Sequence, residues 1–521
     1  MFFSRPSEVI VLAEGTYYEN IYLGGRNITL TGTDPNDPNI VAATIINGDT
    51  DSDPETMSGR VINLAGTEVS TCHIYGLTIT RGYTNVMGGG IRGAGTRASI
   101  SNCIINSNTA LGGGGGLYDC DGPITNCAVT GNSAKDGGGL YYCDGPITNC
   151  AITANLADYR GGGTFDCGGE YICYGPDDCV FTITNCIISG NSASSGGGMY
   201  NNLTNPNLTK CTLSGNTATD YGGGMYNYEN NLMLTNCIFI GNSANYGGGM
   251  YNYRRTSSML INCTLAGNSA PNGNCLACDS SEQKYPSYLQ LANCILWDGG
   301  DEIWNNDNSI ITIIYSDVQG GWKGGSNIDA DPLFVDADNG DYRLLAASPC
   351  IDAAIDAKVY KDIDGNIRPF NFPGVDNNGE LPDFDMGAYE AVATTQCELI
   401  ILPRTINHIG RGKRILAVIR LPELFVKHDI DAYEPLVLYP GAIEATEQYL
   451  IPPSEEAKSN VRIHAVFDKA ELVASLVLFA KQSSGDNGDV ELTVVGRFLS
   501  GEYFYGTDEI RIIGPCDDEE Q

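Results

Sequence analysis

The chain has 521 residues and a formal net charge of -34, from 29 Lys and Arg against 63 Asp and Glu. That balance excludes nucleic acid as a partner, because phosphate binding needs a cationic surface. It holds no apolar run of the roughly 18 residues that suggest a membrane-spanning helix, and its length suits two or three domains.

The opening residues 1–5 lack the hydrophobic segment of a secretory signal. The chain passes at once into Val9-Ile10-Val11-Leu12 and then Glu14 to Asn20. We expect the natural start to lie further upstream and the complete product to be exported, to the cell surface or beyond it. The words Tyr17 to Asn20, Asn27 to Gly32 and Ile45 to Gly48 resemble the opening coils of pectin methylesterases and pectate lyases. Between them and the next segment, Asp49, Asp51, Asp53 and Glu55 stand at alternate positions. Such a row can wrap calcium with oxygen ligands, or form a solvated turn.

From residue 86 to 300 the chain repeats. A cysteine recurs at Cys103, Cys127, Cys150, Cys186, Cys211, Cys237, Cys263 and Cys294, mostly at intervals of about 25 residues, the signature of a solenoid. Ile or Leu stands three before most of these cysteines, and an apolar residue two after. Side chains alternate along a strand, so the chain must bend between the two. The residue at the bend is Asn102, Asn126, Asn149, Asn185, Asn236, Asn262 or Asn293, and asparagine tolerates the left-handed conformation of a corner. A Gly-Asn corner follows, then three glycines and a short third strand such as Met225-Tyr226-Asn227. The prediction is all-β: a right-handed parallel β-helix over residues 1–325, with an inward cysteine column. The column suits stacked free thiols, and coil spacing would also permit vertical disulfides.

An aromatic column, Tyr118, Tyr141, Phe165, Tyr200, Tyr226 and Tyr251, follows the glycines. It reads either as a stripe for stacking on sugar rings or as an aromatic ladder between coils. Gly-Asn-Ser-Ala followed by Gly-Gly-Gly resembles the repeats of polymorphic outer-membrane proteins, and Phe239 to Asn242 matches their Phe-x-x-Asn word. That resemblance implies the β-helix and suggests adhesion. Residues 156–179 and 271–287 break the repeat as lateral loops. Their pairs Cys173 with Cys179, and Cys275 with Cys278, are candidate disulfides. A zinc reading of Cys275-x-x-Cys278 would need a second cysteine pair nearby, which the sequence does not offer.

Residues 326–395 form an acidic extension expected to cap the β-helix. The words Asp329-Ala330-Asp331-Pro332, Asp362-Ile363-Asp364-Gly365-Asn366 and Asp385-Met386-Gly387-Ala388-Tyr389-Glu390 resemble the end of secreted bacterial β-helix proteins of the choice-of-anchor type. The resemblance implies export and surface display. Asp362, Asp364 and Asn366 are a second candidate calcium set, with structural capping as the alternative. Residues 396–521 read as a small β-sandwich with one short helix, bracketed by Cys397 and Cys516, a candidate closing disulfide.

No catalytic word of carbohydrate-active β-helices is present. Asp119, Asp121, Asp144, Asp158 and Asp166 fall on adjacent coils near Arg160 and could form an acidic patch. Only His73 of four histidines lies in the β-helix, which disfavours serine-histidine or metal-histidine chemistry. The sequence therefore reads as an exported, non-catalytic surface or matrix protein for adhesion, structure or glycan binding, with calcium as its one suggested cofactor. Its expected partner is an extracellular polysaccharide or a cell-surface or matrix component, and open solenoid ends invite self-association. The alternative is a polysaccharide lyase, hydrolase or epimerase on the same scaffold.

Overall fold

The computed structural model describes residues 8–49, 59–168, 181–280, 283–373, 375, 383–407, 412–422, 425–451, 461–480 and 488–513. The chain divides into two compact units, 1–330 and 331–521.

The first unit is a parallel β-helix. One 12-stranded sheet runs from Val9–Leu12 to Ile310–Ile314, a second from Gly15–Tyr18 to Asp317–Val318, and an 11-stranded third from Ile21–Tyr22 to Ile303–Asn305. Each strand pairs in parallel with its counterpart one coil on, as Leu208 does with Leu234 and Leu234 with Leu260. A fourth, six-stranded sheet spans Tyr83–Thr84 to Thr217–Tyr221. It is an addition to the three-strand coil expected from the repeat. The Ser-Ala words after the second corner are straight enough to pair, and their small alanines, Ala134, Ala157, Ala193 and Ala218, turn into the coil.

The corners follow the expected chemistry. Asn102, Asn126, Asn149, Asn185, Asn236, Asn262 and Asn293 all hold left-handed backbone, with φ between 50° and 57°. Lys210 takes the same corner, at φ 57°, in the one coil of this stretch without an asparagine. The cysteines next to these corners are buried and reduced. Each thiol is spent on backbone: Cys211 Sγ donates towards Thr209 O at 3.4 Å and Ile183 O at 3.3 Å. Ile, Leu and Val fill the rest of the interior.

The triple glycines explain how tightly coils stack. The first of each triplet has positive φ, as in Gly196 at 64° and Gly222 at 64°. The third faces the next coil directly, since a Cβ on Gly198 would lie 2.5 Å from Gly224 O. Glycine is required there by close approach of backbone to backbone.

The second unit begins with the hairpin of Phe334–Asp336 and Asp341–Leu344. Its acidic words around Asp362 and Asp385 form one buried hydrogen-bonded network. Arg368 Nε lies 3.2 Å from Glu390 Oε2, with neither side chain exposed. Glu390 accepts from Phe370 N and Asp385 N, Asp385 accepts from Asp352 N and Ala391 N, and Asp362 accepts from Glu390 N. The carboxylates thus satisfy backbone amides of loops that lack a sheet. Residues of this segment also bond to the sandwich, with Tyr503 Oη donating to Leu344 O at 2.5 Å and Arg497 3.4 Å from Asp341. The sandwich itself pairs a six-stranded sheet, which includes Gly488–Arg497 and Tyr503–Ile513, with a four-stranded antiparallel sheet. Ile401, Ile415, Ile419, Phe467, Val494 and Phe504 lie in its core, and Lys469–Ala480 supplies the expected helix.

Cys397 is a buried free thiol, and its candidate partner Cys516 lies outside the described residues.

Candidate functional site

The aromatic column is a continuous stack. Ring centroids are separated by 5.7 Å between Tyr118 and Tyr141, then 4.8 Å to Phe165, 5.2 Å to Tyr200, 4.4 Å to Tyr226 and 5.4 Å to Tyr251. Phe165 and Tyr251 are each only 2% exposed. The Arg160 guanidinium lies over Phe165 at 4.7 Å, held by Asp136 through bonds of 2.8 and 3.2 Å. The inner rings spend their faces on one another, which leaves little room for a sugar between them.

The acids form a column beside that stack. Asp121 Oδ1 accepts from Asp144 N at 3.4 Å, and Asp144 Oδ1 accepts from Gly168 N at 3.1 Å. Asp166 Oδ1 accepts from Asn202 N at 2.6 Å. Burial pushes the Asp121 carboxyl up to about 7, and neighbouring Asp144 adds to the rise. Burial likewise pushes Asp166 up to about 7, although the Arg160 charge and bonds from Asn202 oppose it. Asp119 is also raised, chiefly by burial. Asp158 stands apart on the exposed side of Leu156–Arg160.

The calcium sets are placed as follows. Asp49 lies 4.0 Å from Arg81, while Asp51, Asp53 and Glu55 lie outside the described residues. Asp362 accepts from Asn366 N at 2.7 Å and from Asn366 Nδ2 at 2.9 Å. Asn366 therefore turns its donor, not its oxygen, towards Asp362, and Asp364 is exposed.

Cys173 and Cys179 lie outside the described residues. Cys275 and Cys278 are free buried thiols, not a disulfide. The expected lateral loop is shorter than its sequence suggested, because Leu276–Asp279 stays in the third sheet in register with Met250 to Tyr253. Both thiols are thereby held in the coil interior.

A second asparagine ladder, at the Gly-Asn corners, is the longest polar feature of the β-helix interior. Asn108, Asn132, Asn155, Asn191, Asn216, Asn242 and Asn268 are all buried. Each donates its Nδ2 to the Oδ1 of the next, at 2.8 to 3.0 Å from Asn108 to Asn268. Each also caps backbone, as Asn216 Nδ2 does on Ile188 O at 2.8 Å. The row ends on Asp298, whose Oδ1 accepts Asn268 N at 2.6 Å and Asn268 Nδ2 at 3.2 Å. At that end Cys275 Sγ lies 2.5 Å from Asp298 Oδ2, with Glu302 beside them. The repeating Gly-Asn word pointed to a corner, but nothing in the sequence pairs Cys275 with acids 23 and 27 positions later.

The first sheet carries an open groove of about 520 Å³ on its outer face. Asn205, Asn231, Ser257 and Tyr288 line it along one row, with Met233 and Met259 beside them. Tyr288 is 52% exposed and Met233 42%. Among the described residues, no charged side chain lines it. The residues look ordinary in sequence, because their value lies in register: Asn231 pairs with Ser257, and Ser257 with Tyr288, across three coils.

No protein-family model matches the chain, and no curated protein matches it. Among solved structures, a pectate lyase, Pel9A, is similar at a TM-score of 0.34 and 12% identity, over 75% of this chain and 89% of that one. No helix among the described residues is long and apolar enough to cross a membrane.

Proposed function

We propose that the chain is a non-catalytic glycan-binding protein that works outside the cell and holds a neutral polysaccharide along the groove of the first sheet. The observation that carries this reading is the lining of the groove. Amides and hydroxyls of Asn205, Asn231, Ser257 and Gln290 suit sugar hydroxyls, while Tyr288, Met233 and Met259 offer apolar surface to sugar rings. Parallel strands repeat about every 4.8 Å, so a polymer lying along the axis meets similar groups on successive coils. Among the described residues, the lining includes neither a carboxylate nor a histidine to act as acid or base, and no cation to attract a uronate. Binding without cleavage of an uncharged chain follows from that chemistry.

The test is a binding screen against neutral and acidic polysaccharides, with product analysis alongside. Tyr288→Ala and Asn231→Ala are expected to weaken binding of the preferred neutral polymer about tenfold each, equivalent to about 1.4 kcal/mol. Equal binding by both variants, or release of shortened products, would overturn the reading.

One observation favours the polysaccharide-active alternative. Asp121 and Asp166 are both held near 7, the range of a useful general acid or base, and Asp166 follows Arg160 on the same coil. If products appear, Asp121→Asn and Asp166→Asn should abolish them while leaving groove binding intact.

A further inference from the structure

We propose that Cys275, Asp298 and Glu302 form a site for a divalent transition-metal ion, with zinc the preferred occupant. The Cys275 sulfur and one oxygen from each carboxylate lie within 4.8 Å of one another. Cys275 is fully buried and Glu302 only 3% exposed.

The site is built, and each part has a reason to be there. Glu302 Oε1 accepts from Asp298 N and from Gly300 N, both at 2.9 Å, which folds the 298–302 turn around its own carboxylate. The other oxygen, Oε2, is buried without a hydrogen-bond partner. An acceptor in that state has lost its water and gained nothing, and a cation supplies what is missing. Asp298 ends the asparagine ladder through both oxygens, Oδ1 accepting from Asn268 N and Oδ2 from Asn268 Nδ2 at 3.3 Å, and Oδ2 also faces the thiol.

Cys275 stands at a position that glycine holds on the coils before it. Met250 pairs with Leu276, so Cys275 follows Gly249, Gly224 and Gly198 down the third glycine column. On those coils a Cβ would point at the ladder, 3.1 Å from Asn216 Nδ2 in the case of Gly198. Glycine holds this column on every coil from Gly90 to Gly249, and a side chain returns at Cys275, where the ladder amide gives way to a carboxylate.

The donor set selects the ion. One thiolate with two carboxylates suits zinc or cobalt, whereas calcium and magnesium take oxygen alone. On binding, the thiol proton that now points to Asp298 leaves to solvent and the metal takes its place between sulfur and oxygen. Three protein ligands leave a fourth tetrahedral position for water, and exposed Gly299 and Gly300 give access to it.

Cobalt(II) titration of the full, reduced, chelator-treated chain tests the site. A sulfur-to-cobalt charge-transfer band should grow to one equivalent and be displaced by zinc. Cys275→Gly restores the residue of the preceding coils, so it should fold and lose the band. Glu302→Gln should keep the band but weaken cobalt binding at least tenfold. No band in the parent chain would overturn the proposal. A band that persists in Cys275→Gly would overturn it too, by assigning the metal to another of the cysteines.

Discussion

Tyr200 and Tyr226 stack with ring centroids 4.4 Å apart and planes 3° from parallel. Two rings that close on successive coils make the stack part of the packing between coils. Tyr226→Ala opens a cavity at a position 9% exposed and should destabilise the β-helix by about 3–5 kcal/mol. Groove binding on the first sheet should persist under conditions where the variant stays folded. Urea melts of parent and variant, followed by glycan binding at low denaturant, measure both.

Glycines of two kinds can be separated by the same substitution. Gly215→Ala places a methyl in open space at φ 61°, so only the left-handed backbone penalty applies, about 1–2 kcal/mol. Gly198→Ala drives its methyl to 2.5 Å from Gly224 O and requires one coil to move off the next. The second variant should be the more destabilised in thermal melts. Equal costs would show that the coils can separate freely.

Asp166 makes stability depend on pH in a stated direction. Its carboxyl titrates near 7 in the folded chain and near 3.8 when unfolded. Between those values the folded form holds a proton that the unfolded form has lost, so stability falls as pH rises from about 4 to about 7 and then levels. Asp166→Asn removes this contribution. The variant should gain stability relative to the parent as pH rises across that window, seen as a growing difference in denaturation midpoint between pH 4 and 8.

The second unit rests on a buried ion pair. Arg368→Met removes the donors to Asp385 O and Gly387 O together with the cation beside Glu390, whose carboxyl burial and Asp385 already push up to about 9, and should cost about 3–5 kcal/mol. Hydrogen exchange at the Phe370 and Ala391 amides, which bond to Glu390 and Asp385, should accelerate in the variant. A double change of Arg368→Met with Glu390→Gln should cost less than the two single changes added together.

Where a residue works through its own repeat, the sequence disclosed it. The left-handed Asn126 and the inward Cys127 follow from one word read against strand alternation, and both hold in the structure. Features made by neighbouring coils were less visible. The fourth sheet adds strands such as Ser192–Ser195, too short to stand out from a corner. Cys275 looked like half of a disulfide because Cys278 is near in sequence, but the fold turns its sulfur to Asp298 on the next coil. The groove residues carry no motif at all, since Asn231 and Tyr288 become neighbours only through the register of the strands between them.

The row of buried amides from Asn108 to Asp298 has a direction. Every Nδ2 gives one of its two bonds to the side chain on the later coil, and the last acceptor is a carboxylate with no amide of its own to give onward. An interior unit such as that around Asn216 is therefore interchangeable with its neighbours, since each receives and passes on the same bond. Whole turns can be gained or lost between the first and last members, and the cylinder lengthens or shortens without new chemistry, but it cannot be extended past Asp298 by copying the same unit.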